Sequence, residues 1–481
     1  MERTMPNETT RDRKTPFSRR IFANRTLNLR SIKAIGYDMD YTLVHYRVGM
    51  WEERAYARMQ DLLASDGWPV DHLRFDAESV IRGLIIDSEL GNVVKANRFG
   101  YVMRAAHGTR MMEFDEQRTI YRQTQVELSD PRFIFLNTLF SLSETCLFSQ
   151  LVDIFDQGKL PAINGYEDLY RQVRAAMDEA HVEGTLKTEI AADPGRFIDL
   201  DPDAALALLD QKRSGKRLML ISNAEWEYAR EIMSFAFDGF LEDGMTWRDL
   251  FDLVIVGAGK PAFFSSRLPL FRVVDEDQGL LAPVPGPIPG PGIYLGGDAI
   301  RVEESLGLSG SQILYVGDHV FADVRMSKAS LRWRTALILR ELEEELQAIE
   351  TIGPTEEELS RLMGAKEALE RRHRRARLEL QRLTRDYGGG SDRTAIEIQA
   401  EVDEVWAQME DLDRQIGPLA KRTAEAFSSR WGTPLRSGYD ISHLARQIER
   451  SADIYTSRVS NFLFATPYAY LRAKRGSMPH D

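Results

Sequence analysis

The chain is 481 residues long, 43% apolar and 28% charged, with no run of about 18 apolar residues, which excludes a collagen, a wholly disordered chain and a polytopic membrane protein. The formal charge is −12, from 74 acidic and 62 basic residues, and argues against non-specific nucleic-acid binding, which needs a surplus of Lys and Arg. The single cysteine, Cys146, can form neither an internal disulfide nor a Cys-based zinc cluster, so a reducing, cytoplasmic compartment fits best.

Residues 1–20 mix Arg, Asn, Thr, Glu and Pro without the apolar centre of a secretory signal, and read as a mobile N-terminal arm. Ile32–Asp40 (IKAIGYDMD) is the first of four similar segments, each a short apolar run ending in polar residues. Such runs suit strands buried on both faces of a parallel sheet. About 180 residues then separate it from the second run, too many for a crossover connection. SVIRGLIID, VVKANRFGYVMRAAHG and the helical-looking FLNTLFSLSETCLFSQLVDIF lie in that interval, which predicts an inserted α+β domain over 56–197. DPDAALALLDQKRSGK, after Leu200, reads as a helix closed by Gly215.

The other three runs follow: Arg217–Asn223 (RLMLISN), Phe251–Lys260 (FDLVIVGAGK) and Gln312–His319 (QILYVGDH). Residues 21–55 and 198–345 thus form one α/β core, with the Pro/Gly-rich stretch 279–292 as an irregular surface loop. Residues 346–481 are expected to form a helical C-terminal region. Its centre is an antiparallel hairpin over 355–428, turning at Tyr387–Asp392. Ile398, Val402, Val405, Met409, Leu412, Ile416 and Leu419 alternate steps of four and three, a heptad seam that must bury its stripe. Pro418 should kink or end that helix, and Lys366 and His373 interrupt the partner seam. The stretch from Trp431 is richer in aromatics and should pack back on the body.

The chemistry lies at the ends of the four runs, where open parallel sheets place their sites. Asp38 and Asp40 can divide the work of phosphoryl transfer. Asp38 attacks phosphorus to form an aspartyl-phosphate, and Asp40 protonates the leaving oxygen and then deprotonates water. Ser222 and Asn223 can donate to phosphoryl oxygens, and Lys260 can neutralise charge. Acids beside a phosphate require a cation, so Mg²⁺ is expected on Asp38, Asp40, Asp318 and Asp323. Each piece also has an ordinary reading, as a turn, a helix cap or a surface lysine. It is their conjunction that points to catalysis.

The motifs Asp38-x-Asp40-x-Thr42, Ser222, Lys260 and Gly317-Asp318…Asp323 resemble those of the haloacid dehalogenase superfamily. The resemblance implies a Rossmann-like core, an inserted cap that closes over the substrate, and here a C-terminal helical hairpin extension. GYDMDYTLVHY (36–46), RGLIIDSELGNVVKANRFG (82–100), RFIFLNTLFSLSET (132–145), VRAAMDEAHVEGTLK (173–187), GKPAFF (259–264), ILYVGDHVFADV (313–324) and WRTALILREL (333–342) look more closely like the cytosolic IMP/GMP-preferring purine 5′-nucleotidases. That family implies hydrolysis of 6-oxopurine nucleoside monophosphates, phosphoryl transfer to nucleosides, and a homo-oligomer, dimer or tetramer.

By the same resemblance Arg174 and Asp178 recognise the purine edge, while His181 and Lys187 line the nucleotide site. Read alone, Arg174, Asp178 and His181 share one helical face and could be an exposed, salt-bridged surface. The chain departs from the family at Val182, where an aromatic is usual, and at Ala224, where a serine is usual. Glu127, Ala329 and Ser451 replace residues of the animal enzymes' effector site, although Arg450 is kept, so ATP-type activation is not expected. Two other functions fit the same residues. One is a phosphatase of identical chemistry on another phosphorylated metabolite, and the other is an inactive scaffold acting through the hairpin.

Overall fold

The computed structural model describes residues 15–182, 185–438 and 440–474; the side chains of His181, Val182 and Thr185 lie outside the described set. The described residues fall into two compact units. One runs to Glu344 and resumes at Pro434, and the other is Glu345–Thr433. No helix among the described residues is long and apolar enough to cross a membrane.

The first unit is built on a ten-stranded sheet. Its strands are β1 (Phe22–Ala23), β2 (Ala34–Tyr37), β3 (Arg217–Ile221), β4 (Leu253–Val256), β5 (Leu270–Asp275), β6 (Leu280–Pro283), β7 (Gly292–Gly296), β8 (Ile313–Gly317), β9 (Arg334–Ile338) and β10 (Ile454–Thr456). The order across the sheet is β1-β10-β9-β8-β2-β3-β4-β7-β5-β6. From β10 to β7 all neighbours are parallel; β1 on one edge, and β5 with β6 on the other, are antiparallel. Successive residues enter opposite cores. Leu218 and Leu220 join one apolar cluster, while Met219 and Ile221 join the other. Burial on both faces is why these strands read as continuous apolar runs. Gly36 has a local reason, since a Cβ there would lie 2.9 Å from the Tyr315 ring.

Three expectations change here. The stretch 279–292 is not wholly irregular, because Leu280–Pro283 pairs with β5 as an edge strand, the one place where a proline fits a sheet. Residues 434–474 are not part of a helical extension: β10 extends the sheet parallel to β9. Residues 15–20 are not a loose arm. Phe17–Arg19 form a 3-10 turn, and Arg19 donates to Asn461 and Ser460. The remainder of the expected arm, 1–14, lies outside the described residues.

The insert has its own five-stranded antiparallel sheet, with strands in the order Arg110–Met111, Val102–His107, Asn92–Ala96, Ile85–Asp87, Phe133–Phe135. Around it and against the core run α1 (Val48–Ser65), α2 (Leu142–Asp156), α3 (Tyr166–Val182) and α4 (Thr185–Ala192). Glu52 of α1 accepts the N–H of Ser143, at 2.7 Å, in the first turn of α2, satisfying one of the donors that a helix start leaves open.

The second unit is a hairpin of α5 (Leu342–Arg385) and α6 (Ala395–Ala424). Thr394 and Glu397 cap α6 reciprocally. Ile398, Val405 and Ile416 are buried, and the other seam positions are half-buried. The two interruptions fit inside the hairpin: Lys366 pairs with Asp413 at 2.5 Å, and buried His373 lies against the Trp406 ring. Pro418 does not end α6. Its ring is exposed, while Ile416 and Leu419 stay on the seam, and the helix continues to Ala424.

Candidate active site

β8, β2, β3 and β4 are parallel neighbours, so the residues following them converge at the carboxyl end of the sheet. Asp38 follows β2, Ser222 follows β3 and Asp318 follows β8. Lys260 follows β4 through Gly257 and Gly259, whose φ values of 52° and 69° favour glycine. After Asp38 the chain turns tightly, with Leu43 and Val44 both donating to the Met39 carbonyl, each at 2.9 Å. Tyr41 closes that turn at φ 54°, a strained value for a bulky residue.

The centre is an ion cluster. Lys260 Nζ lies 2.7 Å from Asp38 Oδ2, 2.9 Å from Asp323 Oδ1 and 3.1 Å from the Tyr315 hydroxyl. Asp38, Asp318 and Asp323 present oxygens that all lie within 4.8 Å of one another. Burial, opposed by Lys260 and reinforced by Asp323, pushes the Asp38 carboxyl up to about 7. Burial and the charges of Asp323 and Asp38 raise Asp318 well above the carboxylate range. Burial alone would lower the Lys260 ammonium, but Asp323 and Asp38 more than offset it and hold it well above its ordinary value.

Asp40 has a separate environment. Its Oδ1 accepts the Tyr46 hydroxyl at 2.5 Å, and Tyr46 meets the Tyr228 hydroxyl at 2.9 Å. Burial raises its pKa against the Tyr46 hydrogen bond and the charge of Lys187. Its carboxylate is engaged by Tyr46 and is not among the three that converge.

Ser222 is fully buried, and its Oγ accepts the Ala224 N–H at 3.0 Å, leaving its own proton to donate. Asn223 is exposed and largely committed elsewhere. Its Oδ1 accepts the Lys260 N–H at 2.7 Å, and its Nδ2 donates to the Lys260 carbonyl at 3.1 Å. It splints the Lys260 loop, and one amide hydrogen remains for a ligand. From the insert, Lys187 reaches within 5.7 Å of the Tyr228 ring centroid.

Arg174 and Asp178 do not join this group among the described contacts. Arg174 pairs with Asp178 at 3.0 Å and with buried Glu144 at 3.1 Å. The His181 side chain lies outside the described residues.

Sequence reasoning missed Tyr315, Tyr46, Glu144 and Arg82. Arg82 is buried. It donates to the Asp318 carbonyl at 2.5 Å and to the Asn137 carbonyl at 2.9 and 3.1 Å, and pairs with Glu341 at 3.1 Å. The signal was an arginine inside an apolar run, which must find partners when buried.

The residues fit a hard divalent cation. Three buried carboxylates lie together and one ammonium pairs with two of them, so carboxylates outnumber cations in the cluster, and Asp318 Oδ2 is buried with no hydrogen-bond partner. An all-oxygen donor set of this kind suits Mg²⁺.

The model of the 5′ nucleotidase family matches residues 21–481. A 5′-nucleotidase domain-containing protein of Dictyostelium discoideum is 26% identical over 476 residues, covering 96% of this chain and 74% of that protein. Among solved structures, an archaeal β-phosphoglucomutase from Pyrococcus sp. strain ST 04 is similar over 65% of this chain and 89% of its own, with a TM-score of 0.31 and 13% identity. A predicted phosphoglycolate phosphatase from Haemophilus somnus 129pt is similar over 64% and 85%, with a TM-score of 0.27 and 14% identity.

Proposed function

The chain belongs to the 5′-nucleotidase family and is a phosphoric monoester hydrolase; on that footing we propose that it is a Mg²⁺-dependent 5′-nucleotidase of the cytoplasm that cleaves purine nucleoside monophosphates, IMP or GMP, to nucleoside and phosphate. The observation that carries the reading is Lys260 Nζ held 2.7 Å from Asp38 and 2.9 Å from Asp323. This is a carboxylate nucleophile beside a fixed positive charge, at the ends of adjacent parallel strands.

Asp38 attacks phosphorus, and the bond to the ribose 5′ oxygen breaks. Asp40, whose burial favours the protonated form, gives its proton to that oxygen. It then takes a proton from the water that attacks the aspartyl-phosphate, releasing phosphate and restoring Asp38. A nucleoside hydroxyl in place of that water gives phosphotransfer. Lys260 and the Ser222 hydroxyl stabilise charge on the phosphoryl oxygens. Asp38, Asp318 and Asp323 would hold Mg²⁺, which supplies further neutralisation of the phosphate when bound.

Base choice is assigned to Arg174 and Asp178 on α3, and a role in binding the nucleotide to Lys187 and His181. Arg174 offers donors to a 6-oxo group, and Asp178 can accept a ring N–H. The ion pairs that engage Arg174 favour a second reading, the same chemistry on another phosphorylated metabolite.

Phosphate release from a panel of nucleoside monophosphates and small phosphate esters, with and without Mg²⁺, tests the reading. IMP and GMP should lead, only with the metal, and Arg174→Ala should raise KM for them alone. Equal rates on all esters, or a metal-independent rate, would refute it.

A further inference from the structure

Among the described residues Arg82 is the one buried arginine, at 2% exposed. A guanidinium out of water must have its N–H groups paired. Nε and Nη2 donate to the Asn137 carbonyl, at 3.1 and 2.9 Å, Nη2 also donates to the Asp318 carbonyl at 2.5 Å, and Nη1 pairs with Glu341 at 3.1 Å. These partners come from separate stretches: Asn137 from the insert, Asp318 from the end of β8, and Glu341 from the segment after β9. The insert holds Arg82 in place from its own sheet. Gly83 donates to the Leu136 carbonyl at 2.8 Å and Leu136 to the Leu84 carbonyl at 2.9 Å, which carries the pairing of Ile85–Asp87 with Phe133–Phe135 on to the residues beside Arg82 and Asn137. The backbone turns at Gly83, where φ is 91° and a Cβ would lie 2.8 Å from Leu444, so only glycine fits.

The peptide group between Asp318 and His319 is held from both sides. Its carbonyl accepts from Arg82 at 2.5 Å, and its N–H, on His319, donates to Asp323 Oδ2 at 3.1 Å. A trans peptide is a rigid plane whose C=O and N–H point in opposite directions, so a hold on the carbonyl sets the direction of the N–H. Asp323 passes that orientation on. Its Oδ1 lies 2.9 Å from Lys260 Nζ, which is 2.7 Å from Asp38 Oδ2. We propose that Arg82 is a positioning residue for the cation site: it fixes the plane of the 318–319 peptide, and through it aims the Asp318 and Asp323 carboxylates before a metal binds. The inference rests on the reading of Asp318 and Asp323 as Mg²⁺ ligands, and makes the insert a contributor to metal affinity although Arg82 is itself no ligand. The residue type follows from the geometry. A planar fork reaches the Asn137 and Asp318 carbonyls and the Glu341 carboxylate at once, whereas a lysine ammonium is a point donor that cannot span them. Partners that orient a metal's ligands in this way are typically worth about 10–100-fold in metal affinity.

The test measures Mg²⁺ binding by isothermal titration calorimetry on the full chain without substrate, so that it does not depend on turnover. The wild type should bind Mg²⁺, and Asp318→Asn should lose most of that affinity. Arg82→Lys keeps the charge and loses the fork, and its Mg²⁺ dissociation constant should rise about 10–100-fold. Arg82→Met with Glu341→Met removes the buried pair together, which spares the fold an uncompensated charge. It should weaken Mg²⁺ binding at least as much, with the circular dichroism of the wild type. A role confined to stability predicts another pattern: a lower unfolding midpoint in Arg82→Lys, recovery in the double variant, and wild-type Mg²⁺ affinity in whichever variant folds. That pattern overturns the inference and leaves the metal reading standing. A wild type with no affinity for Mg²⁺, or Asp318→Asn with the affinity of the wild type, overturns the metal reading and the inference with it.

Discussion

Two lysines of this protein meet aspartates, and their surroundings give the pairs opposite significance. Lys260 sits at the strand ends with a side chain 3% exposed, between Asp38 and Asp323. Lys366 sits on the hairpin with a side chain 23% exposed, and its partner Asp413 is 52% exposed. The distances are similar. Water has little access to the first pair and ready access to the second. Charges that cannot be solvated must be compensated by one another or by a ligand, which makes the buried cluster the better candidate for chemistry. The exposed pair only trims register and solubility.

Asp38→Asn should make the largest difference, a loss of turnover of roughly a thousandfold or more, because it removes the proposed nucleophile. Circular dichroism should find the fold intact, since the amide keeps the shape. Near wild-type rates in a folded variant would remove Asp38 from its role. Lys260→Met should lose turnover too, and also lose on the order of 3–5 kcal/mol of stability, by leaving buried carboxylates uncompensated. Adding Asp323→Asn should recover part of the stability in urea unfolding but none of the activity. If the single variant unfolds at the wild-type midpoint, the cluster is better solvated than its burial implies.

Glu52 sharpens the comparison from the side of a buried acid, with no cation among the causes that shift it. It is 0% exposed, and burial pushes it up to about 8 from an ordinary 4.5, despite the N–H it accepts from Ser143. Its folded pKa exceeds its unfolded one, so the folded state holds the extra proton between those values. Its contribution is full below about pH 4.5 and is lost as pH rises through about 8, at about 1.4 kcal/mol per pH unit. Glu52→Gln should remove that component from the pH dependence of urea unfolding. An unchanged slope would mean that Glu52 titrates normally. The smallest effect should come from Lys366→Ala, at about 0–1 kcal/mol, measured by the same unfolding curves. A loss comparable to that of Lys260→Met would erase the distinction between the two regions.

The four core strands and their polar ends were legible in the sequence because burial on both faces leaves an unbroken apolar signature. The α6 seam was legible for a similar reason, since its spacing is enforced over several turns. Other features depend on which strands become neighbours, and no local pattern carries that. Tyr315 looks like one more apolar residue of its run, yet its hydroxyl meets Lys260 only because β8 lies two strands from β3 and three from β4. The edge strand Leu280–Pro283 was hidden by prolines, and β10 is three residues long, too short to show a period. Asn223 looked like a ligand for phosphate, but its amide is mostly taken by the backbone of Lys260, a residue 37 positions away. Arg174 and Asp178 were placed by resemblance, and the alternative reading of that face, a salt-bridged surface, describes the contacts they make.

The most direct test of the central claim is to mix the enzyme and Mg²⁺ with IMP labelled at phosphorus, quench in acid within milliseconds, and map the label by peptide. The aspartyl-phosphate account predicts acid-stable, hydroxylamine-labile label on the peptide containing Asp38, absent from Asp38→Asn. Turnover of IMP with no label on the protein, or label on a peptide lacking Asp38, would contradict it.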